Sequence, residues 1–419
     1  MPPTSDAIAK WVDAHCVRLC SPFNGEATDP EVLALLDINI ADADFVFLGE
    51  TDHFVHEKAD FRLLFCRYLM SRGWHSFAEE LGWSDGVRVN RYLSTGDETS
   101  LARLSLFGYR TDLRPDRDDR PTGLLGPSFD KYPTELMKAE QEWFYRGLRR
   151  AADGRPLSYH GFDIDALPGG AYADIIENLA SSANLPKVRA FLSSLAQVPG
   201  ETAAQEAARL TTLLPSATAL DEEVNSIAAE VEISLKAMVE SLTYVERTYP
   251  AQTYDALRPG MAFREGCMKR RFADIRRVAN DAPTVVMGHA LHLAKDDHLM
   301  GQAVGIGHGG GLECSVGHHL VQSLGYKAVS IWMIHGTGED SQPFPDLPRQ
   351  LSYPPTTLNA RLSELRDPVL FRINDAARDL WDKSVGIGHM YNTIQQTVLA
   401  GQVDAILYLP KVTPLRTHR

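Results

Sequence analysis

The apolar run Phe45-Val46-Phe47-Leu48 stops at Gly49, and the next eight positions deliver Glu50, Asp52, His53, His56 and Glu57. A helical pattern of Leu63, Leu64, Tyr68 and Leu69 follows, and then a second short run, His75-Ser76-Phe77-Ala78, that ends on Glu79 and Glu80. The order strand, polar turn, helix, strand is that of a βαβ unit, in which both strands are parallel and end at one edge of the sheet. Ligands of open α/β folds gather at that edge, so Glu50, Glu80 and His53 are expected to share a crevice.

The rest of the chain fits around this unit. Residues 5 to 20 carry Ile8, Trp11, Val12 and Cys16 at helical spacing, with Ser5 as a candidate cap. Trp83 to Leu93 reads as a helix with Ser84 as its cap, residues 133 to 152 as another helix, and Leu157 to Phe162 as a strand ending on Asp163. Between about 172 and 280 there is no strand pattern. Apolar residues recur there at helical spacing through 186–197, 203–214 and 222–247, punctuated by Pro215, Pro250 and Pro259. Thr284 to Met287, ending at Gly288-His289 with His292 beyond, restores the strand pattern, as do Lys327 to Met333 and Ala405 to Leu409. The expected fold is therefore α/β: a central, mostly parallel sheet flanked by helices, with a helical insertion. Residues 1–171 and 281–419 form the core that carries the active site, and 172–280 form the insertion.

From Arg110 to Tyr132 periodicity gives way to Arg, Asp, Pro and Gly, a loop of a length expected of a lid over the site. The glycine-rich passage 305–311 lacks the Gly-Lys-Ser/Thr ending of a phosphate loop and reads as a mobile loop. Val385-Gly-Ile-Gly-His389 repeats the pentapeptide at 304–308, too short a match to define a structural repeat.

Composition narrows the partners. The net charge is −13 with no stripe of Lys or Arg, which argues against nucleic acid or an anionic membrane and for a small molecule. Five cysteines without CxxC spacing imply neither a disulfide framework nor a zinc ribbon. With no apolar h-region at the start and no run of spanning length, a cytoplasmic enzyme is the expectation.

Glu50, Glu80, Asp163 and His289 each close an expected strand, and in a parallel sheet all four would face one edge. No GxSxG nucleophile elbow is present, and neither Cys314 nor Ser315 has an assigned base. Histidine with carboxylate remains: the acid holds the imidazole and the imidazole deprotonates water. His53 with Glu50 or Glu80 is the natural base. The same residue types also allow a zinc set of His53, His289, His292 and a glutamate, although His56-Glu57 is not followed by a histidine in HExxH register. We expect no bound metal and no other cofactor.

These residues carry a resemblance. Gly49-Glu-Thr-Asp-His53 with Glu57 and Arg62 resembles the GExxH segment of the erythromycin esterase-like family. Phe77-Ala-Glu-Glu80 with Trp83-Ser-Asp85 and Asn90-Arg-Tyr92, Gly161-Phe-Asp163, Gly288-His-Ala-Leu-His292 and the segment Asp404 to Pro414 resemble its later blocks, in order along nearly the whole chain. The resemblance implies metal-independent hydrolysis of a macrolactone ester, with His53 as base and Glu50, Glu80, Arg62 and His289 around it. His292, Glu57, Asp163 and Phe54 are then expected on the substrate side. Phe54 stands where the family usually has glycine and Ala290 where it usually has asparagine, so the pocket is expected to differ. The expected substrate is macrocyclic or polyketide-like. Two alternatives remain: a lyase, dehydratase or cyclase of a biosynthetic pathway that uses the same base on substrate carbon, and a protein that sequesters its ligand without reaction.

Overall fold

The computed structural model describes residues 7–105, 121–129, 131–196, 198–220, 224, 227–304, 315–344, 347, 349–373 and 377–417. Its strands are β1 (Val17–Arg18), β2 (Phe45–Glu50), β3 (Ser76–Gly82), β4 (Ser158–Asp163), β5 (Thr284–His289), β6 (Met300–Val304), β7 (Ala328–Glu339), β8 (Gln350–Leu351), β9 (Val369–Arg372), β10 (Val385–His389), β11 (Thr393–Thr397) and β12 (Ala405–Val412). The chain divides into two compact units. Unit 1 comprises Met1–Ala78, Glu135–Ser158 and Arg276–Arg419, and unit 2 comprises Glu79–Thr134 and Tyr159–Ile275.

Unit 1 is built on a mixed sheet with strands in the order β1-β9-β12-β7-β2-β5. β12, β7, β2 and β5 are parallel to their neighbours in this run, while β9 and β1 join antiparallel at one side and β8 pairs antiparallel with β7. The first residues of β3 also belong here, where Thr284 Oγ1 donates to Ser76 Oγ at 3.0 Å. Phe45, Val46, Phe47 and Leu48 are all fully buried, which is why β2 reads as a continuous apolar run: a parallel strand is covered on both faces. Each such side chain contributes about 1.5–3 kcal/mol by burial. The register sets Glu50 opposite His289 on one side and Met333 on the other.

The helix Glu57–Ser71 after β2 is buried almost all round, charged residues included. Those charges have partners. Asp60 accepts from Gly25 N, Glu57 accepts from Thr413 N and Oγ1, and Arg62 donates to Glu50. A second, three-stranded antiparallel sheet, β10-β11-β6, also belongs to unit 1. The pentapeptide Val385–His389 is thus a strand. Gly388 packs so closely under Tyr353 that a Cβ would stand 2.4 Å from its ring. Asn359 joins the two sheets, accepting from Gly388 N at 2.7 Å and donating to His335 O at 2.7 Å.

Unit 2 is helical. Leu235, Met238 and Leu242 of the helix Ile227–Thr248 pack in one apolar core with Ile175 and Leu179 of Gly169–Leu179, Leu195 of Pro186–Leu195 and Leu210 of Ala203–Thr211. Thr202 and Gln205 close a capping box on Ala203–Thr211. Two expectations are corrected. Ser84 does not cap Trp83–Thr95: Gly82 takes the N-cap position, and the Ser84 hydroxyl donates to buried Asp165. Pro259 does not break the chain but lies inside the helix Tyr254–Val278, near enough to its start that few carbonyls precede it.

Ser5, the glycine-rich passage 305–311 and Cys314 lie outside the described residues, as do residues 110–120 and 130 of the expected lid. The described part of that segment packs on unit 2, with Gly123 N and Leu124 N donating to Tyr249 O and Ala251 O.

Candidate active site

Unit 1 gathers a constellation where β2 ends. Glu50 is fully buried, and its Oε1 accepts from Arg62 at 2.7 Å and pairs with His53 Nδ1 at 3.2 Å. Burial alone would raise the Glu50 carboxyl. The Arg62 guanidinium, His53 and Lys58 outweigh it and hold the group below its ordinary value, so Glu50 is an anion. Lys58 Nζ also donates to the His53 carbonyl at 2.8 Å, fixing the backbone that bears the imidazole. The His53 side chain is 26% exposed. A neutral imidazole whose Nδ1–H points at a carboxylate carries its lone pair on Nε2, and an imidazole so held can accept a proton there.

Across the β2–β5 register, His289 brings its ring centroid to 5.0 Å from that of His53. Leu291 N donates to His289 Nδ1 at 3.3 Å, so neutral His289 carries its proton on Nε2 and is a donor there. His292 and His389 flank it, at 6.4 and 5.2 Å between ring centroids. Phe54 stands edge-on to His53 at 6.2 Å and meets Tyr391 at 6.0 Å, which in turn meets Phe344 at 5.0 Å. Tyr391 has a left-handed backbone, φ 62°, unusual for a residue of its bulk.

Unit 2 brings acidic side chains together as well. Arg264, from the helix Tyr254–Val278, forks onto Asp163 with Nε–Oδ1 at 2.9 Å and reaches Glu80 Oε1 at 2.7 Å. The buried Tyr159 hydroxyl donates to the preceding strand residue, Glu79, at 2.5 Å. Of the residues singled out by sequence, Glu50, His53, Phe54, Arg62, His289 and His292 come together in unit 1, and Glu80 and Asp163 come together in unit 2. Glu57 lies in unit 1, but its carboxylate is engaged by Thr413. Among the described residues no three His, Cys, Asp or Glu side chains are grouped so as to hold a metal ion.

A family model described as erythromycin esterase matches residues 70–412, most of the chain. The chain belongs to the erythromycin esterase family. Solved structures agree on the fold. A Bacillus cereus protein is 18% identical with a TM-score of 0.69, covering 100% of both chains. A succinoglycan biosynthesis protein is 17% identical, TM-score 0.65, covering 98% of both. An erythromycin esterase mutant, EreC, in its open conformation is 17% identical, TM-score 0.60, covering 95% of this chain and 98% of its own. Membership supports a hydrolase acting on an ester of a small molecule. No helix among the described residues is long and apolar enough to cross a membrane.

Sequence reasoning missed Arg264, His335, His389 and Tyr391. An arginine in a long helix usually faces water, and nothing in the spacing marks Arg264 as the partner of two strand-end acids. His389 had a signal, as the last residue of an apolar run, but its alternating glycines hid the strand.

Proposed function

We propose that the enzyme hydrolyses a cyclic ester, macrolactone-like, by attack of a water that His53 deprotonates, without a covalent intermediate. The observation that carries this reading is the Glu50 Oε1 bridge: it takes Nδ1–H of His53 and a guanidinium N–H of Arg62, leaving the lone pair of His53 on Nε2. Glu50 keeps the tautomer and stabilises the imidazolium as the proton arrives. Arg62, committed to Glu50, holds that carboxylate ionised. The oxyanion role then falls to His289, whose Nε2–H can donate to charge developing on the carbonyl oxygen. Phe54 and His292 are the proposed substrate contacts.

Phe54, Tyr391 and Phe344 form an aromatic series beside His53, and they support an apolar or macrocyclic substrate over a highly charged one. Incubating the enzyme with erythromycin and with simpler lactones, followed by mass spectrometry, tests the reading. The expected product is the ester plus one water. His53→Ala should form it ~10²-fold or more slowly with the fold intact. Product formation at the wild-type rate by His53→Ala would remove the base from this site.

A further inference from the structure

Asp52 stands between Glu50 and His53 and is fully buried. Its Oδ1 accepts the Phe54 N–H at 2.8 Å, an Asx turn that closes around His53. Its Oδ2 has no hydrogen-bond partner among the described residues, and neither ring nitrogen of His335 has one. These two groups face each other: Asp52 Oδ2 and His335 Nε2 are 3.8 Å apart, both wholly buried. The His335 ring lies beside Tyr353, 5.7 Å between centroids, and its carbonyl is tied by Asn359. Asp340, buried with its own Oδ2 unpartnered, is the second carboxyl of the cluster. Lys58 and Glu50 are the other charges that act on Asp52. Two carboxyls and an imidazole cannot all be ionised here without leaving a buried charge uncompensated.

We propose that Asp52 is a protonated acid whose Oδ2 proton faces His335 Nε2 across the 3.8 Å between them, and that this neutral pair positions His53. Burial, with Asp340 adding to it, pushes the Asp52 carboxyl well above its usual range. Burial also pushes His335 down to about 4, leaving a neutral ring able to accept at Nε2. The pair, an O–H on Asp52 and an N–H on His335 Nδ1, carries no net charge. Oδ1 stays turned to Phe54, the loop that bears His53 stays closed, and Glu50 rather than Asp52 supplies the negative charge beside the base. The positioning role rests on the hydrolase reading; the protonation of Asp52 does not.

Asp52→Asn reproduces both contacts of the protonated acid: its carbonyl accepts from Phe54 and its amide donates to His335. Infrared difference spectra at neutral pH should show a protonated-carboxyl band in the wild type that Asp52→Asn removes, a readout independent of any ester. Turnover by Asp52→Asn should stay within about threefold of wild type with the same acid limb in its pH profile. Asp52→Leu, which cannot accept from Phe54, should lose about tenfold or more in kcat with KM little changed. Absence of the band, or loss of turnover by Asp52→Asn as severe as by Asp52→Leu, overturns the proposal. If the band is present and no ester is hydrolysed by any variant, the hydrolase reading fails and the protonated pair stands.

Discussion

Single side chains in this protein act through what holds them. Arg62 is the clearest case, since a buried Glu50 anion needs its cation more than the substrate does. Arg62→Met leaves that charge uncompensated and should destabilise unit 1 by about 3–5 kcal/mol, read by urea denaturation. A loss under about 1 kcal/mol would show that Glu50 is not an anion there. His56 provides a pH test. It is buried between Glu140 Oε1 at 2.7 Å and Asp60 Oδ2 at 3.2 Å, with Arg416 also against it. Burial would lower its pKa, but the hydrogen bonds that its ring N–H groups donate to Asp60 and Glu140 raise it to about 9 from an ordinary 6.5. A group raised on folding stabilises fully below its unfolded pKa and loses that contribution as pH rises through the folded one. The Tm deficit of His56→Gln should therefore be largest below pH 6.5 and shrink toward pH 9. A deficit that grows with pH contradicts the assignment.

Elements differed in how far the sequence disclosed them. β2, β5, β7 and β12 were legible because central parallel strands must be apolar on both faces, and their runs end on residues that cannot continue the core. The helices of unit 2 within 186–247 were legible from apolar spacing, whereas Tyr254–Val278 was not, because Pro259 reads as a break and lies inside the helix. β10, β11 and β6 were not: Gly386 and Gly388 interrupt β10, and Thr and Gln fill β11, so neither run shows the alternation of a half-buried strand. Those glycines are explained by packing that a sequence cannot display. Gly388→Ala should force Cβ into the Tyr353 ring and cost about 1–3 kcal/mol, measured by denaturation. Because Tyr353 OH donates to His389 O, the same change should also disturb the end of β10. An unaltered midpoint would mean that Tyr353 moves aside freely.

At the scale of the whole molecule, the charged residues that close strands carry the resemblance to the erythromycin esterase family, and they were readable because a strand end places them. What fixes their protonation was less readable, because Arg62 is the only cation of the set that the motif includes. Arg264 and His335 come from segments far away in the chain, and burial decides which acid keeps its proton. Phe54 beside His53, with Tyr391 and Phe344 behind it, gives the imidazole aromatic surroundings. In the proposed reaction Glu50 and His53 act as one unit on water. The most direct test is the turnover of Glu50→Gln, His53→Ala and the double variant on one ester substrate. If Glu50 works through His53, the double variant is no slower than His53→Ala within about threefold, and each single variant has lost ~10²-fold or more. Losses that multiply in the double variant would mean that the two residues serve the reaction separately, which contradicts the account.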